Sequence, residues 1–238
     1  MDVTPGLLGA FPLLKSLSSD VLSDLASSGL VAKYSRREVV LDPKREDESL
    51  CLLFEGRLQG IDFTIDGREV GLFFVERGDF CGEISLFDDS VRPEFVIATT
   101  NSVVVKLPRT KIRTVMNSQP SVMRFLGNKL ALRVRNLTFQ RSLLAVQNIE
   151  QRVCCQLWLL CKDSILISSG EAGTEAEIIN PPTHLEIANM LSISRESVTR
   201  VFQTLQNQQI VRRNGSYSLV ICSLDKLKEL ANVNPNSK

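Results

Sequence analysis

Apolar and polar positions change their rhythm several times along the chain. Over residues 19–29, Leu22, Leu25 and Ala26 share one face at helical spacing, Ser19 offers a cap and Gly29 a stop, which predicts a short helix. From residue 38 to 106 the rhythm shortens to β-prone runs broken by turn residues. The runs 39–41, 50–54, 59–65 and 70–75 are followed by Asp42-Pro43, Glu55-Gly56, Asp66-Gly67 and Arg77-Gly78-Asp79, and two more cover 95–100 and 103–107. Asp-Gly between two apolar runs is a hairpin signal, so this stretch predicts an antiparallel roll of short strands.

Pro120 opens a long helical stretch, expected over 120–149. Leu130, Val134, Leu137 and Leu144 follow the spacing of a coiled-coil seam with Arg141 intruding, and Phe125, Leu132, Phe139, Leu143 and Val146 form a second stripe. Two apolar faces on one helix fit a helix that packs on the roll and on a twin helix, giving a parallel homodimer. The alternative is a helix buried inside a monomer. Residues 163–180 read as a loop or a weak strand pair.

Pro181-Pro182 then stops the preceding element, and Thr183-His184-Leu185-Glu186 is a capping box at the start of a helix expected to turn Leu185, Ala188 and Leu191 inward. Ser192-Ile193 makes a tight turn, and Ser194 caps a second helix whose core face is Val198, Val201, Phe202 and Leu205. This spacing is that of a helix-turn-helix. Residues 210–220, with Asn214-Gly215 at the turn, add a hairpin wing. The fold class expected is α+β, with boundaries at 1–119, 120–149 and 150–238.

Composition narrows the function. With 43% hydrophobic and 23% charged residues the 238-residue chain is globular rather than disordered. The longest membrane-span candidate, residues 153–161, is short and contains Gln156, and the N-terminus lacks the basic region of a signal peptide, so a cytoplasmic protein is expected. The net charge of +1 divides into −8 over residues 1–95, +6 over 96–180 and +3 over 181–238, which directs any polyanion toward the C-terminal part. Six scattered cysteines lack the spacing of a zinc or redox site, His184 is the single histidine, and no phosphate-binding glycine loop occurs. No metal site and no enzyme activity are expected; a cysteine enzyme around Cys154-Cys155 is the alternative.

The second helix presents Arg195, Glu196, Thr199, Arg200 and Gln203 opposite its core stripe. Arginine bonds guanine edges bidentately and glutamate accepts from cytosine N4, while Thr183, Ser194 and Ser197 suit phosphates, as do Arg212 and Arg213 in the wing. The competing reading is a solvated face in which Glu196 and Arg200 pair at i,i+4.

The stretch Thr183-His184-Leu185-Glu186-Ile187-Ala188 through Ser194-Arg195-Glu196-Ser197-Val198-Thr199-Arg200-Val201, then 205–211 and Asn214-Gly215, resembles the winged helix-turn-helix of the CRP/FNR family of bacterial transcription regulators. Glu55-Gly56, Arg77-Gly78-Asp79-Phe80 and Gly82-Glu83-Ile84-Ser85-Leu86-Phe87 resemble that family's cyclic-nucleotide-binding-like β-roll, and the helix from Pro120 takes the place of its dimerisation helix. The resemblance implies a homodimer on double-stranded DNA, with RNA polymerase as a further partner and no membrane. It implies that Arg195, Glu196 and Arg200 read a TGTGA-like half-site, in a palindrome whose halves lie roughly 34 Å apart. It also implies a small-molecule effector at Gly82, Glu83, Arg92 and Thr138, with no other cofactor. In cAMP-binding members a Ser/Thr-Ala follows the arginine, whereas here Pro93-Glu94 follows Arg92. Proline removes a hydroxyl and a backbone donor and Glu94 brings a carboxylate near the same anion, so the expected effector is not cAMP. The alternatives are a cAMP-responsive regulator in which Glu94 points outward, and an effector-binding protein that acts on protein partners. Iron–sulfur sensing lacks an N-terminal cysteine cluster, the first cysteine being Cys51, and a haem ligand histidine is missing from the roll.

Overall fold

The computed structural model describes residues 2–45, 49–88, 94–161, 165–170, 173–215 and 218–232. They divide into two compact units, Met1–Leu137 and Thr138–Lys238.

The first unit opens with helices α1 (Pro5–Gly9) and α2 (Ser19–Ser28) and then runs through β1 (Leu30–Tyr34), β2 (Val39–Leu41), β3 (Ser49–Glu55), β4 (Leu58–Phe63), β5 (Glu69–Val75), β6 (Phe80–Cys81), α3 (Ile84–Phe87), β7 (Phe95–Ala98), β8 (Ser102–Pro108) and α4 (Arg109–Ser118). The cap of α2 is Ser18 rather than the expected Ser19, which forms the first helical residue. The strands make two antiparallel sheets, ordered β1-β8-β3-β6 and β2-β7-β4-β5. Side chains alternate across a strand, and β3 uses both faces. Its Leu50 and Leu52 pack with Leu14, Leu25, Val105, Ile112 and Leu126 on the helical side. Cys51 and Leu53 pack between the sheets with Leu58, Val75, Val96 and Val104. Each leucine fully buried this way contributes about 1.5–3 kcal/mol. The Asp66-Gly67 hairpin joins β4 to β5, and Gly67 takes φ 78° while its N–H donates to the Thr64 carbonyl at 2.8 Å.

The helix expected over 120–149 is α5 (Pro120–Leu143); it ends before Leu144, and a new helix, α6 (Ile149–Cys161), follows. The second apolar stripe does not behave as one face. Within the first unit the buried positions of α5 are Val122, Leu126 and Arg133, whereas Phe125 and Leu132 are exposed; Leu143 and Phe139 belong to the core of the second unit. Of the proposed seam, Val134 is 62% exposed, Leu137 41% and Leu144 49%.

The second unit continues with β9 (Ile165–Gly170), β10 (Gly173–Ile179), α7 (His184–Leu191), α8 (Arg195–Asn207), β11 (Val211–Asn214), β12 (Ser218–Ile221) and α9 (Leu224–Ala231). Residues 165–170 and 173–179 thus form a strand pair that joins the wing in one sheet, ordered β11-β12-β10-β9. Its core gathers Val153, Leu157, Leu191, Val198, Phe202, Leu205, Ile221 and Leu227. Among the described residues no helix is long and apolar enough to cross a membrane.

Candidate nucleic-acid interface and effector site

The helix-turn-helix is built from local side-chain chemistry. Thr183 caps α7: its Oγ1 accepts from the Glu186 N–H at 3.2 Å, and Glu186 Oε2 accepts from the Thr183 N–H at 2.8 Å. Ser192 closes α7 in the left-handed region at φ 52°, and the Ile193 N–H returns to the Ala188 carbonyl at 3.1 Å. Ser194 Oγ accepts from the Ser197 N–H at 3.1 Å, starting α8. The inward face of α7 differs from expectation: Ala188 and Leu191 are buried, but Leu185 is 50% exposed and Ile187 and Met190 fill the core instead. Along α8, Val198, Val201, Phe202 and Leu205 are all buried.

On the opposite face Arg195, Glu196, Arg200 and Gln203 are exposed. The ion pair between Glu196 and Arg200 is not formed, so the arginine heads face outward with their donors unspent; Arg212 and Arg213 on β11 are exposed in the same way. Hydroxyl counting separates the other candidates. Thr183 Oγ1 accepts in its cap and keeps its own proton for an anion. Ser194 and Ser197 share a contact of 3.0 Å between their hydroxyls, leaving one proton of the two. Thr199 is different, because its hydroxyl donates to the Arg195 carbonyl at 3.0 Å and lies 2.9 Å from His184 Nδ1. Burial first, then the charges of Arg213 and Arg195, hold the His184 imidazole below its ordinary value.

In the roll, Gly82 and Glu83 lie at the start of α3, and Glu83 is fully buried. Its Oε1 is bonded by Arg133 Nη1, whose Nη2 donates to the Phe80 carbonyl at 2.6 Å. The Arg133 guanidinium lies 4.2 Å from the centroid of the Phe73 ring. That ring presses on Gly60, where a Cβ would come within 2.5 Å of it. Glu83 Oε2 is buried without a partner. The residue brought to Glu83 is therefore Arg133, which the sequence reading did not single out. A signal for it existed: Asp79 and Glu83, four apart, meet Lys129 and Arg133, also four apart, and the Lys129–Asp79 contact is 2.6 Å. Thr138 is exposed on α5 and falls in the other compact unit, and Arg92 and Pro93 lie outside the described residues. Glu94 is buried, contrary to the outward orientation considered as an alternative.

The cysteines offer no nucleophile at Cys154-Cys155. Both are buried and free, and burial pushes Cys154 up to about 12 and raises Cys155, so the thiolate is scarce at neutral pH.

Two family models match the chain: a cyclic nucleotide-binding domain over residues 31–119 and a Crp-like helix-turn-helix domain over 151–230. The cAMP-activated global transcriptional regulator CRP of Pasteurella multocida is 26% identical over 191 residues, covering 80% of this chain and 89% of that protein. Among solved structures, a CooA mutant from Carboxydothermus hydrogenoformans is similar with a TM-score of 0.74 and 19% identity, covering 97% of each chain. The c-di-GMP responsive global regulator CLP of Xanthomonas campestris has a TM-score of 0.65 and 22% identity, covering 85% of this chain and 98% of its own. These likenesses follow the same order of roll, long helix and helix-turn-helix that the geometry displays, and the chain belongs to the CRP/FNR family of transcription regulators, not of enzymes.

Proposed function

We propose that this regulator acts as a homodimer that reads a TGTGA-like palindrome, with Arg195 and Arg200 on guanines and Glu196 on cytosine. Thr183, Ser194, Ser197, Arg212 and Arg213 hold phosphates, and RNA polymerase is the partner of the DNA-bound form. The observation that carries this reading is the exposed, unpaired row Arg195, Glu196 and Arg200 opposite the buried stripe of α8. Dimerisation rests on Val134 and Leu137, apolar side chains left exposed on α5. Two such helices side by side cover Val134 and Leu137 of each copy, and a parallel dimer of this kind calls for half-sites about one DNA turn apart. The test is binding to a TGTGA-type palindrome against a scrambled duplex at physiological salt. Equal affinity for both refutes base readout, because phosphate contacts alone do not discriminate.

The effector of this reading is not cAMP. Relatives named as cAMP-activated and a neighbour named as c-di-GMP responsive share the fold, so fold leaves the effector open. In this chain Arg133 already takes one oxygen of Glu83, and its guanidinium packs 4.2 Å from the centroid of the Phe73 ring. A ribose hydroxyl would have to displace a buried charge pair to claim that oxygen, and Oε2, the oxygen without a partner, is itself closed off by burial. Calorimetry decides the point: no cAMP heat is expected, and a dissociation constant tighter than about 10 μM overturns the assignment.

A further inference from the structure

Thr199 stands on the outward half of α8, yet its hydroxyl is consumed inside the motif. A threonine hydroxyl has one proton, and here it goes to the Arg195 carbonyl at 3.0 Å. The 2.9 Å contact with His184 Nδ1 must then be donated by the ring and accepted by Thr199. This puts a proton on Nδ1, and burial beside Arg213 and Arg195 disfavours a second one, so the ring is the neutral form with Nε2 bare. Nε2 is buried with no hydrogen-bond partner, a position that suits a lone pair better than an N–H. The ring packs against Phe202 with 4.5 Å between centroids and 37° between the ring planes. The charged groups acting on it are Arg195 from α8 and Arg213 from the wing, while Glu186 on its own helix is committed to the cap of Thr183. The chain of bonds thus runs from α7 through His184 and Thr199 to the main chain of Arg195, the first residue of α8.

We propose that His184 is a positioning residue for base readout, locking Thr199 and through it the first turn of α8, so that the preceding helix sets the direction in which Arg195 leaves the helix. A helix end is where backbone order is weakest, because its first N–H groups lack helical partners. A bond from a neighbouring helix to that turn restricts the Arg195 Cα–Cβ direction, and bidentate recognition of a base depends on such direction. Thr199 accordingly acts through Arg195 and not as a DNA contact itself. The inference rests on the reading of α8 as a base-reading helix.

The experiment has two arms on the full chain. Because His184 is the only histidine, ring nitrogen spectra of the protein report one imidazole. At pH 7.5 without DNA the Nδ1–H tautomer is expected, and an Nε2–H tautomer or a charged ring overturns the proposal. In the second arm, anisotropy titrations compare a TGTGA palindrome with a scrambled duplex. His184→Gln puts its amide near Nε2, and Thr199→Val removes the hydroxyl, so each should lower the ratio of specific to scrambled affinity about three- to tenfold, the range one net hydrogen bond spans. His184→Asn puts an amide N–H near Nδ1, and Thr199→Ser keeps the hydroxyl; both should hold the ratio within about twofold of the parent. A wild type that prefers the palindrome, together with His184→Gln and Thr199→Val variants of unchanged ratio, overturns the positioning role alone. Equal losses on both duplexes overturn it too, since they report a merely structural residue. A wild type with no preference refutes the base-reading function and this role with it, even when the tautomer is as expected.

Discussion

Arginine serves opposite ends in the two units. In the roll, Arg57 is 4% exposed and paired with Glu76 at 2.6 Å, Arg133 is 9% exposed and bonded to Glu83, and Arg113 donates to the carbonyls of Ser85, Leu86 and Asp88. In the winged unit Arg195, Arg200, Arg212 and Arg213 are exposed, with no ion pair to a carboxylate among the described residues. The same side chain is spent on carboxylates and carbonyls in one place and keeps its donors exposed in the other. Exposed intramolecular pairs are worth little, so a free arginine costs the fold almost nothing while keeping all its donors. A buried pair is different: its contribution is small as a pair but large once one partner is removed.

The largest effect is expected from breaking that buried pair. Arg133→Ala leaves the Glu83 carboxylate buried and alone, which should destabilise the roll by about 3–5 kcal/mol, whereas Glu83→Leu with Arg133→Met should recover most of the loss. Scanning calorimetry resolves this; a single variant as stable as the parent removes the contrast between the units. Next comes Leu137→Asp, which places a carboxylate in the proposed seam. Sedimentation should show the dimer weakened at least about a hundredfold, with the monomer folded. Leu144→Asp should do less, because Leu144 lies past the end of α5. A Leu137→Asp protein that stays dimeric at micromolar concentration refutes the seam.

Arg195→Ala and Arg200→Ala should each cost about 1–3 kcal/mol of binding to the palindrome and relax one base position. Their thermal stability should stay within about 0.5 kcal/mol of the parent, the reverse of Arg133→Ala. Arg212→Ala and Arg213→Ala should weaken all duplexes alike and lower the salt slope by about one. The smallest effect concerns pH. The folded unit holds His184 below the ordinary 6.5, so the unfolded chain binds the proton more readily. Stability from the neutral ring is complete above that value and declines as pH falls through it toward the folded value. The melting temperature of the winged unit should therefore drop on acidification more in the parent than in His184→Asn, and identical pH profiles would contradict a neutral, enclosed ring.

Local chemistry made much of this architecture readable. The Thr183–Glu186 cap, the Ser194 cap, the Asp66-Gly67 hairpin and the Val198–Val201–Phe202–Leu205 stripe each need only neighbours a few residues away, and each is present. Where a choice depended on what lies opposite, reading failed. Leu185 and Ile187 are both plausible inward residues of α7, and only the packed core selects Ile187. The helix α4 escaped notice because Arg, Thr and Lys surround its Ile112, Val115 and Met116, whose burial comes from the sheet they cover. Periodicity carries the expected helix to residue 149, but Leu143 turns into the core of the second unit and α5 stops there.

The sequence by itself determined the order of roll, helix and winged motif, and the row of arginines on α8, since periodicity, caps and turns are set by covalent neighbours. Only the tertiary structure decided which cations are spent and which are free. Glu83 and Arg133 are 50 residues apart, and His184 and Thr199 are on different helices. Their pairing is a consequence of burial, which strengthens a charge pair or hydrogen bond when both partners arrive and penalises each partner when alone, and no local pattern encodes who will arrive.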